Sequence, residues 1–321
     1  MKDKNTRFRV VDILLILMMV LPLVAAMALK VCTPLIDAWL YNQPIPEVSD
    51  GVSIAGAHIF FRIPMQAGQE NAVLDLIITE AQINAWLILI TVLGACLFFT
   101  HGLKEDKRDW RQMAAEWVVE KLDGLVEASM EELFRKSYAP FIGAILAYSA
   151  CSSLMSLIGV FPPTSDVNVI AGWSILVFAL ITKNKLKAGF GNYAKGFLEP
   201  IPVMLPMNIL GEIATPISMT FRHFGNVMSG TVIATLIAWA LQSLSAMVLG
   251  WLPGFLGDIP FLQVGLPAVL SVYFDVFSGC IQAYIFAMLT MLNVSGAYPV
   301  DAIAERLAKR EAKKAKKAKI A

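Results

Sequence analysis

The chain is short of charge. Only 16% of its 321 residues are Asp, Glu, Lys or Arg, against about 25% in soluble globular chains. So few charges cannot cover a water-facing surface, and 57% of the residues are apolar, with a mean hydropathy of +0.64. This excludes the pair of soluble domains that the length would otherwise allow. It points to an all-α polytopic membrane protein. Cysteine is sparse too. Cys32, Cys96, Cys151 and Cys280 lie far apart, three of them in apolar segments, which excludes a disulfide framework and a metal-ligand spacing. The sequence has no glycine-rich phosphate loop, no HExxH, no GxSxG and no CxxC. Nucleotide hydrolysis and covalent catalysis by this chain are therefore not expected, nor are a cofactor, a bound metal or a nucleic-acid partner. The clear internal repeat of many secondary transporters is also missing.

The charge that is present is clustered. Basic residues gather at 1–10, 102–111, 183–195 and 305–319, and the positive-inside rule places all four, and both termini, on the cytoplasmic side. Between them the apolar runs can be counted. Residues 13–29 are long enough for a first span or a signal peptide. The flank Lys30-Val31-Cys32-Thr33-Pro34 has no clean small-x-small cleavage site, which favours a retained span. Residues 33–79 read as an external loop, with His58 and Arg62 as solvated residues. A span is expected over 81–100, with Trp86 as an interfacial anchor. Charge clusters at 104–111, and the following stretch to residue 136 alternates Trp117, Leu122, Leu125, Val126 and Met130 with Glu116, Glu120, Lys121, Asp123 and Glu127. This is an amphipathic helix for the membrane surface or for a partner subunit. Residues 140–160 carry Ser149, Ser152, Ser153 and Ser156 on one face, suited to close helix packing. A turn at 161–166 leads to a shorter segment at 167–182.

Residues 189–206 are rich in Gly and Pro and read as a surface loop. From 203 to 252 the only charges are Glu212 and Arg222, with His223 beside them. Fifty residues of helix would be about 75 Å long, against a hydrocarbon core of about 30 Å. That segment must tilt, break or pair as a hairpin. A last segment covers 262–292. The expected architecture is five to six membrane helices, including two long tilted helices packed as a hairpin, plus an amphipathic surface helix. The expected divisions are an extra amino-terminal segment (1–32), an external loop (33–79), a helical membrane domain (80–300) and a basic cytoplasmic tail (301–321).

Arg222 is the residue around which this sequence is organised. An arginine in the middle of a membrane helix costs roughly 2.5–3.5 kcal/mol on insertion scales. No Asp or Glu lies within about one helical turn to offset it. Read as a helix, Thr215, Ser218, Arg222, Asn226 and Ser229 form one polar face, with Gly225 and Gly230 beside it for close approach of another helix. The bland alternative is an arginine snorkelling from a helix end. A second polar face falls in the last segment, where Asp275 and Gln282 are two α-helical turns apart, with Ser278 and Gly279 between them and Ser271 one turn before Asp275. An intramembrane carboxylate is a candidate functional group; a static Arg–Asp pair holding the bundle is the alternative. His223 reads as a packing or interface residue rather than a metal ligand. Glu212 lines an aqueous access path or is simply solvated.

Four stretches together resemble subunit a of F-type ATP synthases: SMTFRHFGNVMSG at 218–230, PPTSDVNV at 162–169, GFLEPIP at 196–202 and IQAYIF at 281–286. They fall in the family's order across about 80–295, and residues 1–79 lie outside the resemblance. The resemblance implies that Arg222 stands for the family's stator arginine, Asn226 for the Asn after it and Gln282 for the last-helix Gln. It puts Asp275 where the family has a His or a carboxylate, acting as an ion relay. Thr231 stands where some members carry a Glu. Ser218, Ser229, Ser278 and Glu212 would line the ion path. The implied partners are the c-ring, the peripheral-stalk subunit b, the bilayer and the translocated H⁺ or Na⁺, in a bacterial inner membrane. The sequence leaves the ion open. The competing reading is a self-contained carrier or channel in which Arg222 binds an anionic substrate.

Overall fold

The computed structural model describes residues 2–40, 59–63, 76–103, 109–130, 132–187, 189–198, 201–249, 269–270 and 272–298. These are almost wholly helical: α1 (Lys2–Leu40), α2 (Glu80–Thr100), α3 (Trp110–Ser129), α4 (Glu132–Leu157), α5 (Val167–Leu186), α6 (Phe190–Leu198), α7 (Leu205–Leu249) and α8 (Gly279–Gly296). A π-helical segment, Val272–Ser278, runs directly into α8. Among the described residues six helices are long and apolar enough to cross a membrane, so the chain is an all-α polytopic membrane protein. It packs as two units. Unit 1 comprises Met1–Leu122, Gly143–Asp166 and Phe224–Tyr284; unit 2 comprises Asp123–Ile142, Val167–His223 and Ile285–Ala321.

In unit 1, α1 lies along α2. Gly94 of α2 faces the α1 backbone so closely that an added Cβ would sit 3.2 Å from the backbone at Met18 and Met19. An ion pair marks each end. Arg111 meets Asp12 at 2.9 Å and also lies over the Phe98 ring; Lys30 meets Glu80 at 3.8 Å. Asp12 and Lys30 are separated by about 27 Å of helix, close to the thickness of a hydrocarbon core. The start of α2 follows from the sequence Thr-Glu-Ala-Gln, in which Gln82 Oε1 accepts the Thr79 N–H at 3.4 Å, the returning arm of a capping box. Asn84, buried on α2, donates to the Phe161 carbonyl at 2.9 Å and so ties α2 to the turn after α4. The short hairpin β1 (Ile59–Ile63) and β2 (Leu76–Thr79) pairs antiparallel just before α2.

The serine face of α4 packs as its spacing predicts. Ser152 Oγ and Thr164 Oγ1 are 2.9 Å apart, and the Thr164 N–H donates to Ser152 Oγ at 3.1 Å; both residues are fully buried. Ser152→Ala would leave two buried groups of Thr164 without their partner. It is expected to destabilise the protein by about 1–3 kcal/mol, whereas Ser156→Ala at a half-exposed position of the same helix should stay within about 0.5 kcal/mol. Thermal unfolding of the two variants in detergent checks this.

Several expectations need correction. The stretch 189–206 is not all loop: it folds into α6 and a 3₁₀ turn at Pro202–Met204. α1 continues to Leu40, past residue 33, and β1 and β2 lie within the stretch read as external loop. The amphipathic stretch that follows residue 111 falls largely in α3, which ends at Ser129, while its last residues, up to 136, already belong to α4. The remaining residues of the external loop, the turn at 253–260 and the basic tail lie outside the described residues. The long apolar segment does not break. α7 is one helix of 45 residues with Pro216 inside it. Pro216 has no N–H for the Glu212 carbonyl, yet the helix continues. At about 67 Å it must be strongly tilted to stay in a bilayer.

Candidate functional site

Each unit holds part of the predicted site. In unit 2, Arg222 is exposed on α7 and makes no ion pair or hydrogen bond with another described residue of its unit. His223, about 100° further round the helix, is 1% exposed and wedged edge-on against Trp173 and Phe286, with ring centroids at 6.2 and 5.6 Å. It is the packing residue that the sequence suggests, and its two ring nitrogens have no hydrogen-bond partner among the described residues. Two neighbouring positions of the helix thus aim the cation outward and bury the imidazole ring. Ser218 is exposed on the same part of α7, and Ser229 is exposed on the part that belongs to unit 1, where its Oγ donates to the Asn226 carbonyl.

In unit 1, Asn226 and Ser278 form a reciprocal pair. Asn226 Nδ2 donates to Ser278 Oγ at 2.9 Å, and Ser278 Oγ donates to Asn226 Oδ1 at 3.2 Å. Four residues on, Gly230 is buried against the Phe274 side chain. Residue 226 faces 278 and residue 230 faces 274, so α7 and the last helix run antiparallel, as a hairpin. Of the two glycines expected to permit close approach, Gly230 does so and Gly225 faces open space. Asp275 is half-buried within the π-helical segment, while Gln282 is buried on α8. The two-turn α-helical spacing between them is therefore not kept: wider π turns reset the phase, an irregularity often found at functional sites.

Glu212 is not simply solvated. Its side chain is 8% exposed and it pairs with Lys185, whose Nζ donates to Oε1 at 3.0 Å; Tyr193 OH donates to the same oxygen at 3.1 Å. Burial, and then the Glu212 hydrogen bond and charge, push the Tyr193 hydroxyl above its ordinary pKa, which keeps it a donor. Lys185 was visible in the sequence only as one of a run of basic residues. Nothing in that run signals a carboxylate 27 residues later. Among the described residues no His, Cys, Asp and Glu cluster could hold a metal ion.

In a polytopic helical membrane protein, an exposed arginine on an over-long apolar helix marks a candidate functional site, typically on an ion or substrate pathway. The family model described as ATP synthase A chain matches residues 83–295. The chain is 26% identical over 270 residues to the "ATP synthase subunit a, sodium ion specific" of Propionigenium modestum, covering 76% of this chain and 86% of that one. It is 30% identical over 222 residues to "ATP synthase subunit a 2" of Acaryochloris marina, covering 68% and 85%. It is also 30% identical over 229 residues to "ATP synthase subunit a" of Trichlorobacter lovleyi, covering 68% and 89%. The chain belongs to the ATP synthase subunit a family. It is the ion-translocating stator subunit of the membrane sector and is not itself catalytic. The family match begins within α2, so α1 and the β hairpin precede it.

Proposed function

We propose that this subunit faces a ring of small hairpin subunits, each with one buried carboxylate, and supplies two half-channels that reach the ring from opposite sides of the membrane. Arg222 stands between them. Its cation favours the ionised form of the passing carboxylate, which releases the ion into one half-channel and blocks a direct leak to the other. Arginine suits this task because its guanidinium stays charged and offers a planar fork of donors. Asp275 relays the ion on the external side. Gln282 takes the place of the last-helix glutamine on the ion path, Asn226 and Ser278 join the helix hairpin, and Ser218, Ser229, Ser278 and Glu212 line the path, Glu212 on the cytoplasmic side. The driving force is the membrane field, about 2.3 kcal/mol per charge per 100 mV. The chain sits in a bacterial inner membrane with both termini in the cytoplasm, and the peripheral-stalk subunit b is its other partner.

One observation carries this reading: Arg222 is exposed on α7 beside a fully buried His223, in the region that the family match covers. A self-contained carrier would transport by itself. The chain reconstituted alone in liposomes under an imposed ion gradient is therefore expected to pass no ions, with flux appearing only in the complex that contains the ring. Flux through the isolated chain would overturn the stator mechanism.

A further inference from the structure

A cavity of about 660 Å³ lies within unit 2, between the end of α5, α6, the start of α7 and the end of α8. It has room for on the order of 20 waters. Among the described residues that line it, two are charged, Lys185 and Glu212, and they are bonded to each other. Glu212 is set into the wall, whereas the Lys185 side chain is 36% exposed. The rest of the polar lining is neutral: Asn192, Tyr193, Asn208, Thr215 and Asn293. Carboxylate, amide and hydroxyl oxygens are what a hard cation takes as ligands. A cavity with Glu212 alone would combine those oxygens with a net negative charge. Lys185 removes the net charge, and together with Tyr193 it occupies one of the two carboxylate oxygens, Oε1.

We propose that Lys185 is a specificity-determining residue of this cavity: its ammonium takes the place beside Glu212 that a metal cation would otherwise hold. The cavity then conducts protons through its water and does not retain Na⁺. A proton needs only a hydrogen-bonded chain to move along, whereas Na⁺ needs several oxygens and an uncompensated negative charge. This inference rests on the reading of the cavity as the cytoplasmic access path, and it concerns access to the rotor, not the ion that the rotor's own site selects.

The test is ATP-driven proton pumping in inverted vesicles at constant ionic strength, with Na⁺ exchanged for choline and assembly checked by immunoblot. The wild type and Lys185→Arg are expected to pump at rates independent of Na⁺. Lys185→Gln is expected to lose at least about fivefold as Na⁺ rises, because an opposite charge at contact distance attracts a cation strongly in a partly buried site. Adding Glu212→Gln should remove that Na⁺ sensitivity, whatever the remaining rate. Should Lys185→Gln fail to assemble, Asn192→Asp, a change at an exposed lining position, gives the cavity the same net charge and is expected to respond to Na⁺ in the same direction. A Na⁺-independent rate in an assembled Lys185→Gln complex, or in Asn192→Asp where Lys185→Gln does not assemble, overturns the proposal, as does a wild type already inhibited by Na⁺. An assembled Lys185→Gln complex that pumps normally at every Na⁺ level removes this inference and leaves the stator reading standing. Pumping by Arg222→Ala does the reverse.

Discussion

Replacing Arg222 by alanine is expected to abolish ATP-driven ion pumping in a complex that still assembles. In the proposed mechanism the guanidinium is the charge that ionises each passing rotor carboxylate. A unit charge pair about 4 Å apart at an effective dielectric near 20 is worth about 4 kcal/mol. Each 1.4 kcal/mol is a factor of ten in rate, so a loss of about 100-fold or more is expected. Assembly should survive, because Arg222 is exposed and the side chain that packs α7 here is His223. Arg222→Lys keeps the charge but loses the planar fork, and it too should pump poorly. Proton uptake by dye quenching, with subunit content from immunoblots, gives the answer. Near-normal pumping by the alanine variant would sink the mechanism and make the arginine a structural residue.

Gly279→Val is expected to have the largest effect on the fold. Gly279 is the first residue of α8, between Asp275 and Gln282, and it packs against α4 within unit 1. A Cβ at this position would meet Ser153 Cβ at 2.6 Å, far inside van der Waals contact. Ser153 cannot easily yield, being buried and donating from its Oγ to the Ser149 carbonyl at 3.1 Å. Overpacking of this kind costs about 1–3 kcal/mol or more, and here it would push on the segment that carries Asp275. The expected outcome is a much reduced yield of assembled complex and a lowered unfolding temperature. Ser153→Gly in the same chain makes room and should restore most of both. A Gly279→Val complex that assembles and unfolds like the wild type would show that the contact is not a constraint.

The long periodic elements were legible in the sequence. The span read at 81–100 is α2, and the segment read at 167–182 is most of α5, because continuous apolar runs of membrane length admit little but helix. The serine face of α4 was legible for the same reason: its period is that of the helix. The short α6 was not. Gly189, Gly191, Gly196 and Pro200 are loop-forming residues, and a nine-residue helix draws its stability from packing rather than propensity. In this one, Tyr193 is anchored on Glu212, and the Phe197 carbonyl accepts from Asn208 at 2.9 Å. The π-helical segment at Asp275 was illegible too, since counting in 3.6-residue turns assumes the geometry that it breaks.

Sequence by itself determined the class of protein, a count of five to six membrane helices, the over-length of α7 and the identity of its lone arginine. These follow from composition and period, which act locally along the chain. Tertiary structure alone decided what each polar group touches. It set Asn226 against Ser278, Ser152 against Thr164, and Lys185 with Tyr193 against Glu212. Those partners are 52, 12, and 27 and 19 residues apart. No spacing rule reaches across such distances, because what joins them is the chain's folding back on itself, where a buried polar group left unpaired is costly.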